Sequence, residues 1–417
     1  MLKKIILHEM LLNLASFRFL LIVGLFVVLC FGGLAVSIDN YKTAMKEYTE
    51  VVAIEPTRAT PLNLGIPPNP LGAFAEGTDK SSAIEVSADV SLDDFTVKTL
   101  GESDVSMRLA AFDVLDMNFV VKVIMSLAAI LITFASVSGE RYNGTLKLAA
   151  VSGASRKHLM LGKLLASFIC LAVPLAICTI ISCLILALNN MLLTSMDVVR
   201  VCLFMIFSMI YILFFVLVGL IISIYTKRPQ ESLITGVLCW LVFVFIVPAL
   251  IPQISKLFVE LPSARALEQA RLERTHQHFF EWANSGYQES MSNYRERDQA
   301  GHDADWEKSR NLFASYASIN RWLAMLSPAD IYNNASMEIV GNGVQNAIHA
   351  KKSILQYKNF VEANRRNLSA LGFVFNRMNF ASDLIAALAS MFVLCLQATV
   401  LLLFAYSKFQ RLDLREG

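Results

Sequence analysis

Six long apolar runs decide what this chain can fold into. They cover residues 19–38, 119–137, 164–188, 201–225, 233–251 and 384–406. A helix needs roughly 20 apolar residues to cross the hydrocarbon core of a bilayer. Lipid offers no partner to a backbone N–H or C=O, so a segment of this kind satisfies its own backbone by becoming a helix. The sequence has 417 residues, 55% of them hydrophobic and 17% charged, which is too apolar for a soluble globular protein of that length. The fold expected is an all-α polytopic membrane protein with six transmembrane helices, both termini on one side.

The charges orient the helices. Lys3, Lys4 and Arg18 precede the first run, and Lys408, Arg411 and Arg415 follow the sixth. Between the second and third lie Arg141, Lys147, Arg156, Lys157 and Lys163 against a single acid, Glu140, and the turn 226–231 carries Lys227 and Arg228. Basic residues mark cytoplasmic loops, so both termini are expected in the cytoplasm. Residues 1–18, mixing Lys3, Lys4 and Glu9 with Ile5, Ile6, Leu7, Leu11 and Leu12, read as an amphipathic helix on the inner membrane surface.

Two polar regions remain for the other side. Residues 39–118 are acid-rich and broken by Pro56, Pro61, Pro67, Pro68 and Pro70. Ile84, Val86, Ala88 and Val90 alternate there with polar residues, and Phe95 and Val97 follow, the pattern of a short strand pair. In 253–383, Leu257, Leu261, Leu267 and Leu272, then Leu312, Tyr316, Ile319 and Leu323, recur at near-helical spacing. Ser327 before Pro328 reads as an N-cap with Pro at the first helical position. The expected organisation is an interfacial helix and first span over 1–38 and a small mixed α/β extracytoplasmic domain over 39–118. Spans two to five follow over 119–252, with Pro174 as a kink in the third and a cytoplasmic segment at 139–163. A helical extracytoplasmic domain fills 253–383, and the sixth span with a cytoplasmic tail completes 384–417.

Several chemistries are excluded by spacing. No G-x-x-x-x-G-K-[ST] phosphate loop occurs: Gly162-Lys163 is followed by Leu164 and lacks the upstream glycine. His8-Glu9 lacks the second histidine of H-E-x-x-H, and His276 and His278, two apart, fall on different faces of a helix. No metal site and no catalytic constellation is expected. All seven cysteines lie inside apolar runs and read as small buried hydrophobes. The basic residues sit at span ends rather than in one patch, so no nucleic-acid partner is expected. Lys122, within the second run, is placed to snorkel towards an interface.

The segment between the second and third runs carries a pattern: Gly139-Glu140, then Gly144-Thr145-Leu146, then Ser155-Arg156, then Gly162-Lys163. It resembles the signature of the ABC-2 type transporter permeases. Asp116 before the second run, and Asn69-Pro70-Leu71 through Phe74 to Gly77, are similar to the branch of that family with two large extracytoplasmic regions. One departure is Phe134-Ala135-Ser136, where many relatives carry an acid.

The resemblance implies an exporter permease whose coupling helix docks on a separate ATPase. The docking residues it implies are Gly139, Glu140, Arg141, Gly144, Thr145, Leu146, Lys147, Ser155, Arg156, Gly162 and Lys163, with a secondary cytoplasmic contact at Lys227 and Arg228. Thr145, Leu146, Leu148 and Val151 would form the apolar face of that helix. The partners implied are two ATPase subunits, a second permease chain, identical or paralogous, and the lipid bilayer, with a protein partner for the extracytoplasmic regions. ATP and Mg are expected on the ATPase, with no cofactor on this chain. The location implied is the bacterial inner membrane. A rival reading is a non-transporting membrane protein that passes ATPase-driven or ligand-driven movement to envelope partners.

Overall fold

The structure, a computed structural model, describes residues 2–52, 66–77, the backbone of 84–89 and 94–99, 115–145, 155–191, 194–259, 264–284, 318–343 and 380–411, with isolated residues between the last of these stretches. Among the described residues, six helices are long and apolar enough to cross a membrane. After a short N-terminal helix, α1 (Leu2–Leu14), these are α2 (Phe17–Val52), α3 (Met117–Tyr142), α4 (Arg156–Leu188), α5 (Ser195–Tyr225), α6 (Pro229–Phe258) and, last in the chain, α9 (Phe380–Gln410). Between α6 and α9 come α7 (Ala264–Asn284) and α8 (Pro328–Val340). The chain divides into two compact units, residues 1–244 with 328–417, and residues 245–327.

In the first unit α5 is the helix around which the others gather. Phe204, Phe207, Tyr211, Phe214 and Phe215 are all buried along it, and it packs on α3, α4, α8 and α9. Close approach between helices in lipid relies on small residues. A Cβ at Gly219 of α5 would stand 2.0 Å from Thr133 Oγ1 of α3, and one at Gly236 of α6 would stand 2.7 Å from Ile130 of α3.

Two irregularities shape α3, and both are satisfied by its neighbours. Residues Val121–Met125 form a π-turn. The carbonyl of Lys122 within it accepts the Tyr211 hydroxyl at 2.9 Å, and Trp240 Nε1 donates to Ser126 Oγ at 2.9 Å. Lower down, the helix opens at residues 134–137 before resuming at Ser138–Tyr142. Ser223 Oγ of α5 accepts the N–H groups of both Val137 and Ser138 at 3.0 Å, and Ser232 Oγ of α6 donates to the Phe134 carbonyl at 2.7 Å. A break in lipid is tolerated where side chains take over the freed backbone groups, and here two serines do so.

The helix α8 lies within the stretch read from sequence as an outer helical domain, yet it packs into the bundle against α5 and α9. At 13 residues it is too short to span. Ala329, Ile331, Tyr332, Ala335 and Ile339 are buried, Tyr332 stacks on Tyr211 with ring centroids 4.4 Å apart, and its hydroxyl pairs with Ser208 Oγ at 2.8 Å. It ends in a Schellman turn: Asn342 N–H donates to the Met337 carbonyl and Gly341 N–H to the Glu338 carbonyl, with Gly341 at φ +86°.

Pro174 lies within α4, whose helix continues on both sides of it. α2 does not stop near residue 38: Lys42 reaches the α4 C-cap Asn189 at 2.8 Å, and the helix continues to Val52, about 15 Å further at 1.5 Å per residue. The strand pair forms as an antiparallel hairpin, β1 (Ile84–Asp89) with β2 (Asp94–Thr99), registered Ile84 to Thr99 and Asp89 to Asp94.

In the second unit Ser255 Oγ donates to Asn320 Oδ1 at 3.2 Å. In α7, Phe279 meets Phe280 edge-on at 6.4 Å and lies tilted against Trp282 at 6.0 Å.

Candidate coupling surface at one end of the bundle

The sequence motif gathers at one end of the first unit. Ser155 starts α4 as its N-cap, with extended backbone and its hydroxyl accepting from His158 N–H at 3.3 Å. The next residue, Arg156, donates through Nη1 to the carbonyl of Gln410, the last residue of α9. Lys157 lies over the Tyr406 ring at 5.9 Å. Thus the first turn of α4 is fastened to the C-terminal end of α9.

Two turns on, Lys163 is 1% exposed. An ammonium taken out of water needs opposite charge around it, and Lys163 has two: Nζ lies 2.6 Å from Glu9 Oε1 of α1 and 2.6 Å from Glu140 Oε1 of α3. Its neighbour Gly162 makes room for α1, because a Cβ there would fall 2.5 Å from Ile5 Cγ2. The N-terminal helix therefore packs along α4 as well as presenting exposed Leu7 and Leu11. Sequence reasoning missed Glu9. The signal was a lysine placed where a span begins, which demands a carboxylate, and a lone acid among the lysines of the first turns.

Arg141 does a different job. Its guanidinium donates to the carbonyls of Ile224 and Thr226, both at 3.2 Å, covering the exposed carbonyl end of α5, where positive charge is favoured. This links the motif to the 226–228 turn, in which Lys227 and Arg228 are exposed and Pro229 opens α6. Gly139 packs on Ala135 at an ordinary 3.5 Å. Gly144 takes φ +73°, the left-handed region that favours glycine, and Thr145 Oγ1 donates to the Glu140 carbonyl at 3.3 Å. Leu146, Lys147, Leu148 and Val151 lie outside the described residues. Gly139, Glu140, Arg141, Gly144, Thr145, Ser155, Arg156, Gly162, Lys163 and the 226–228 turn are thus brought to one end of one body.

The match to a known family covers this arrangement and nearly everything else: the model described as ABC-2 family transporter protein aligns with residues 4–414. The chain belongs to the ABC-2 family of transporter proteins. Among curated proteins none matches it. As an ABC-2 protein with six apolar helices it is a multi-pass membrane protein and the permease part of an ABC transporter, a transport component and not itself a catalyst.

The opposite end of this permease is built from amides. Residues 69–77 tuck in beside α2 as a short 3₁₀ turn, Pro70–Ala73, capped by Asn69, with Leu71 and Phe74 buried. Asn69 Nδ2 donates to the Val340 carbonyl at 2.9 Å and to Asn342 Oδ1 at 2.5 Å, and Asn342 Nδ2 donates to the Ala75 carbonyl at 2.8 Å. Asn118 of α3 donates to Asn333 of α8 at 2.5 Å. Asp116, the N-cap of α3, accepts from Phe119 N–H at 2.7 Å and Glu76 N–H at 2.9 Å. Burial pushes its carboxyl up to about 7, against those two hydrogen bonds and the pull of Lys122. One ion pair stands beside the amides, Arg200 Nη2 to Asp383 Oδ2 at 2.8 Å, with Arg200 also donating to the Ile339 carbonyl at 2.7 Å.

Proposed function

We propose that this ABC-2 permease is an exporter subunit driven by separate ATPase subunits that dock on residues 139–163, on the cytoplasmic face of a bacterial inner membrane. The observation that carries the reading is the shared burial of Lys163 between Glu140 and Glu9, together with Arg141 on the end of α5. A push on Glu140 and Arg141 is passed at once to α1, α4 and α5, which a slack connecting loop would absorb. ATP and Mg would bind the ATPases, two copies serving a pair of permease chains. Gly144 and Leu146, with Lys227 and Arg228 as a secondary contact, would face the partner. The test is co-purification of the ATPase with Gly144→Trp and Leu146→Asp variants. Loss of the ATPase with the permease still monodisperse is expected, and undiminished capture with undiminished transport would overturn the reading.

A second reading draws on the amide-locked end. Leu71, Phe74, Tyr211 and Tyr332 are buried, and α2 runs on as far as Val52. These features suit a device that moves envelope partners rather than one that opens a path. Reconstituted vesicles that hydrolyse ATP and remodel a bound envelope protein, yet move no solute, would favour it.

A further inference from the structure

We propose that Glu9 is a positioning residue of the coupling device and that α1 is a moving part of it. The inference rests on the coupling role given to residues 139–163.

Lys163 has three N–H donors, and two of them meet carboxylates on two different elements, Glu140 at the motif and Glu9 on α1. The second oxygen of Glu140, Oε2, is buried and has no hydrogen-bond partner. Lys163 therefore sits between two carboxylates on two different elements, each meeting it through Oε1. When the segment carrying Glu140 is displaced, the ammonium stays solvated only by following Glu140 or by leaning on Glu9. In either case the force between Glu9 and Lys163 changes, and α1 feels it.

Three further features make α1 free to respond as a unit. It is separated from α2 by a break at Ala15-Ser16, where Ser16 Oγ donates to the Asn13 carbonyl at 2.7 Å and accepts from Phe19 N–H at 3.3 Å, closing both helix ends at once. Its grip on α4 is by side chains, with Ile5 against Gly162 and Glu9 on Lys163. Its other face, Leu7, Leu11 and Leu14, is exposed, so sliding along α4 breaks no further packing there. A Glu9 that only filled a structural slot would not need to share its cation with the motif.

The test uses the full complex of permease and ATPase in nanodiscs and hydrogen–deuterium exchange of two peptides, one within residues 2–14 and one within 139–145, with and without ATP, Mg and vanadate. In the wild type both peptides should change exchange when nucleotide is trapped. Glu9→Gln should abolish the nucleotide-dependent difference in the 2–14 peptide and lower coupled ATP turnover roughly tenfold, the scale of one lost charge-assisted hydrogen bond. Glu9→Asp should restore part of both. Glu9→Gln combined with Glu140→Gln leaves the buried Lys163 ammonium with neither carboxylate and should cost more than the two single changes added together. A purely structural Glu9 would shift exchange by the same amount in both nucleotide states, and that outcome overturns the proposal. A difference confined to 139–145 in the wild type also overturns it while leaving the coupling reading intact. No difference in either peptide sinks the coupling reading itself. Should Glu9→Gln fail to elute as a single species, the graded response of Glu9→Asp decides the matter.

Discussion

The two ends of the bundle hold themselves together by different physics. At the motif end the fasteners are charges: Lys163 between Glu9 and Glu140, Arg141 on the carbonyls of Ile224 and Thr226, Arg156 on Gln410. At the opposite end they are mostly amides and stacked rings: Asn69 with Asn342, Asn118 with Asn333, Tyr211 on Tyr332. Coulomb attraction decays slowly with distance, so an ion pair keeps pulling after its members have moved an ångström. A neutral hydrogen bond is strongly directional and weakens steeply once bent. A charged end yields and transmits, whereas an amide end stays shut until it lets go. That contrast fits the proposal that a partner pushes on the motif end.

The strongest way to break the contrast is Lys163→Met. It leaves Glu9 and Glu140 facing each other with no cation between them, and stripping one partner from a buried pair costs about 3–5 kcal/mol. Part of that cost is softened because Glu9 and Glu140 keep 15% and 28% of their side-chain surface. The expected result is a clear fall in thermal stability in detergent, with α1 losing protection in hydrogen exchange first. Asn342→Ala comes next. It removes the donor to Ala75 and the acceptor for Asn69, leaving buried polar groups unmet at about 1–3 kcal/mol. Exchange in the 69–77 peptide should rise while the 139–145 peptide stays unchanged. If both ends loosened together, the two would not be separate devices.

The same contrast explains what could be read from the sequence. The six spans were legible because runs of about 20 apolar residues have one solution in lipid. The motif was legible because its residues are close in sequence. Glu9 was not, since its partner lies 154 residues away, and only the cost of burying Lys163 hinted that some acid must answer it. The start of α8 was legible at Ser327-Pro328, but its packing into the bundle was not, for a similar reason. With Asn333, Asn334 and Glu338 along it, it looks like a soluble helix, and its place in the bundle depends on Ser208, Tyr211 and Asn118 from elements far back in the chain. Ser223 and Ser232 were silent too, because a serine in an apolar run does not announce which broken turn it repairs.

Asp116 sharpens the comparison through pH. Its carboxyl is raised from 3.8 to about 7 by burial, so the folded state holds the proton more tightly than the unfolded chain does. Stability from this group is complete below about pH 4 and is lost as pH rises through about 7. The groups facing it are Lys122 and Glu76, and Lys122 already opposes the shift. Thermal stability of the wild type should therefore decline between about pH 4 and about pH 7. Asp116→Asn, which cannot ionise, should flatten that decline and leave the motif end untouched. A decline of equal size in the variant would mean that Asp116 does not govern it.

The smallest expected effect comes from comparing the caps at the two ends. Asp116 caps α3 from a buried position and also holds Glu76, whereas Ser155 caps α4 from an exposed one and holds only its own first turn. Loss of a serine N-cap costs about 1 kcal/mol, and water can reach the freed N–H groups here, so Ser155→Ala should lower the melting temperature by only a few degrees. Arg156 still reaches Gln410 in such a variant, so the tie between α4 and α9 persists. ATPase capture should weaken only if the hydroxyl itself is read by the partner, and Ser155→Thr, which keeps a capping oxygen, should then restore it. A loss in Ser155→Ala that Thr does not rescue would place the effect in the shape of the docking surface instead of in the cap.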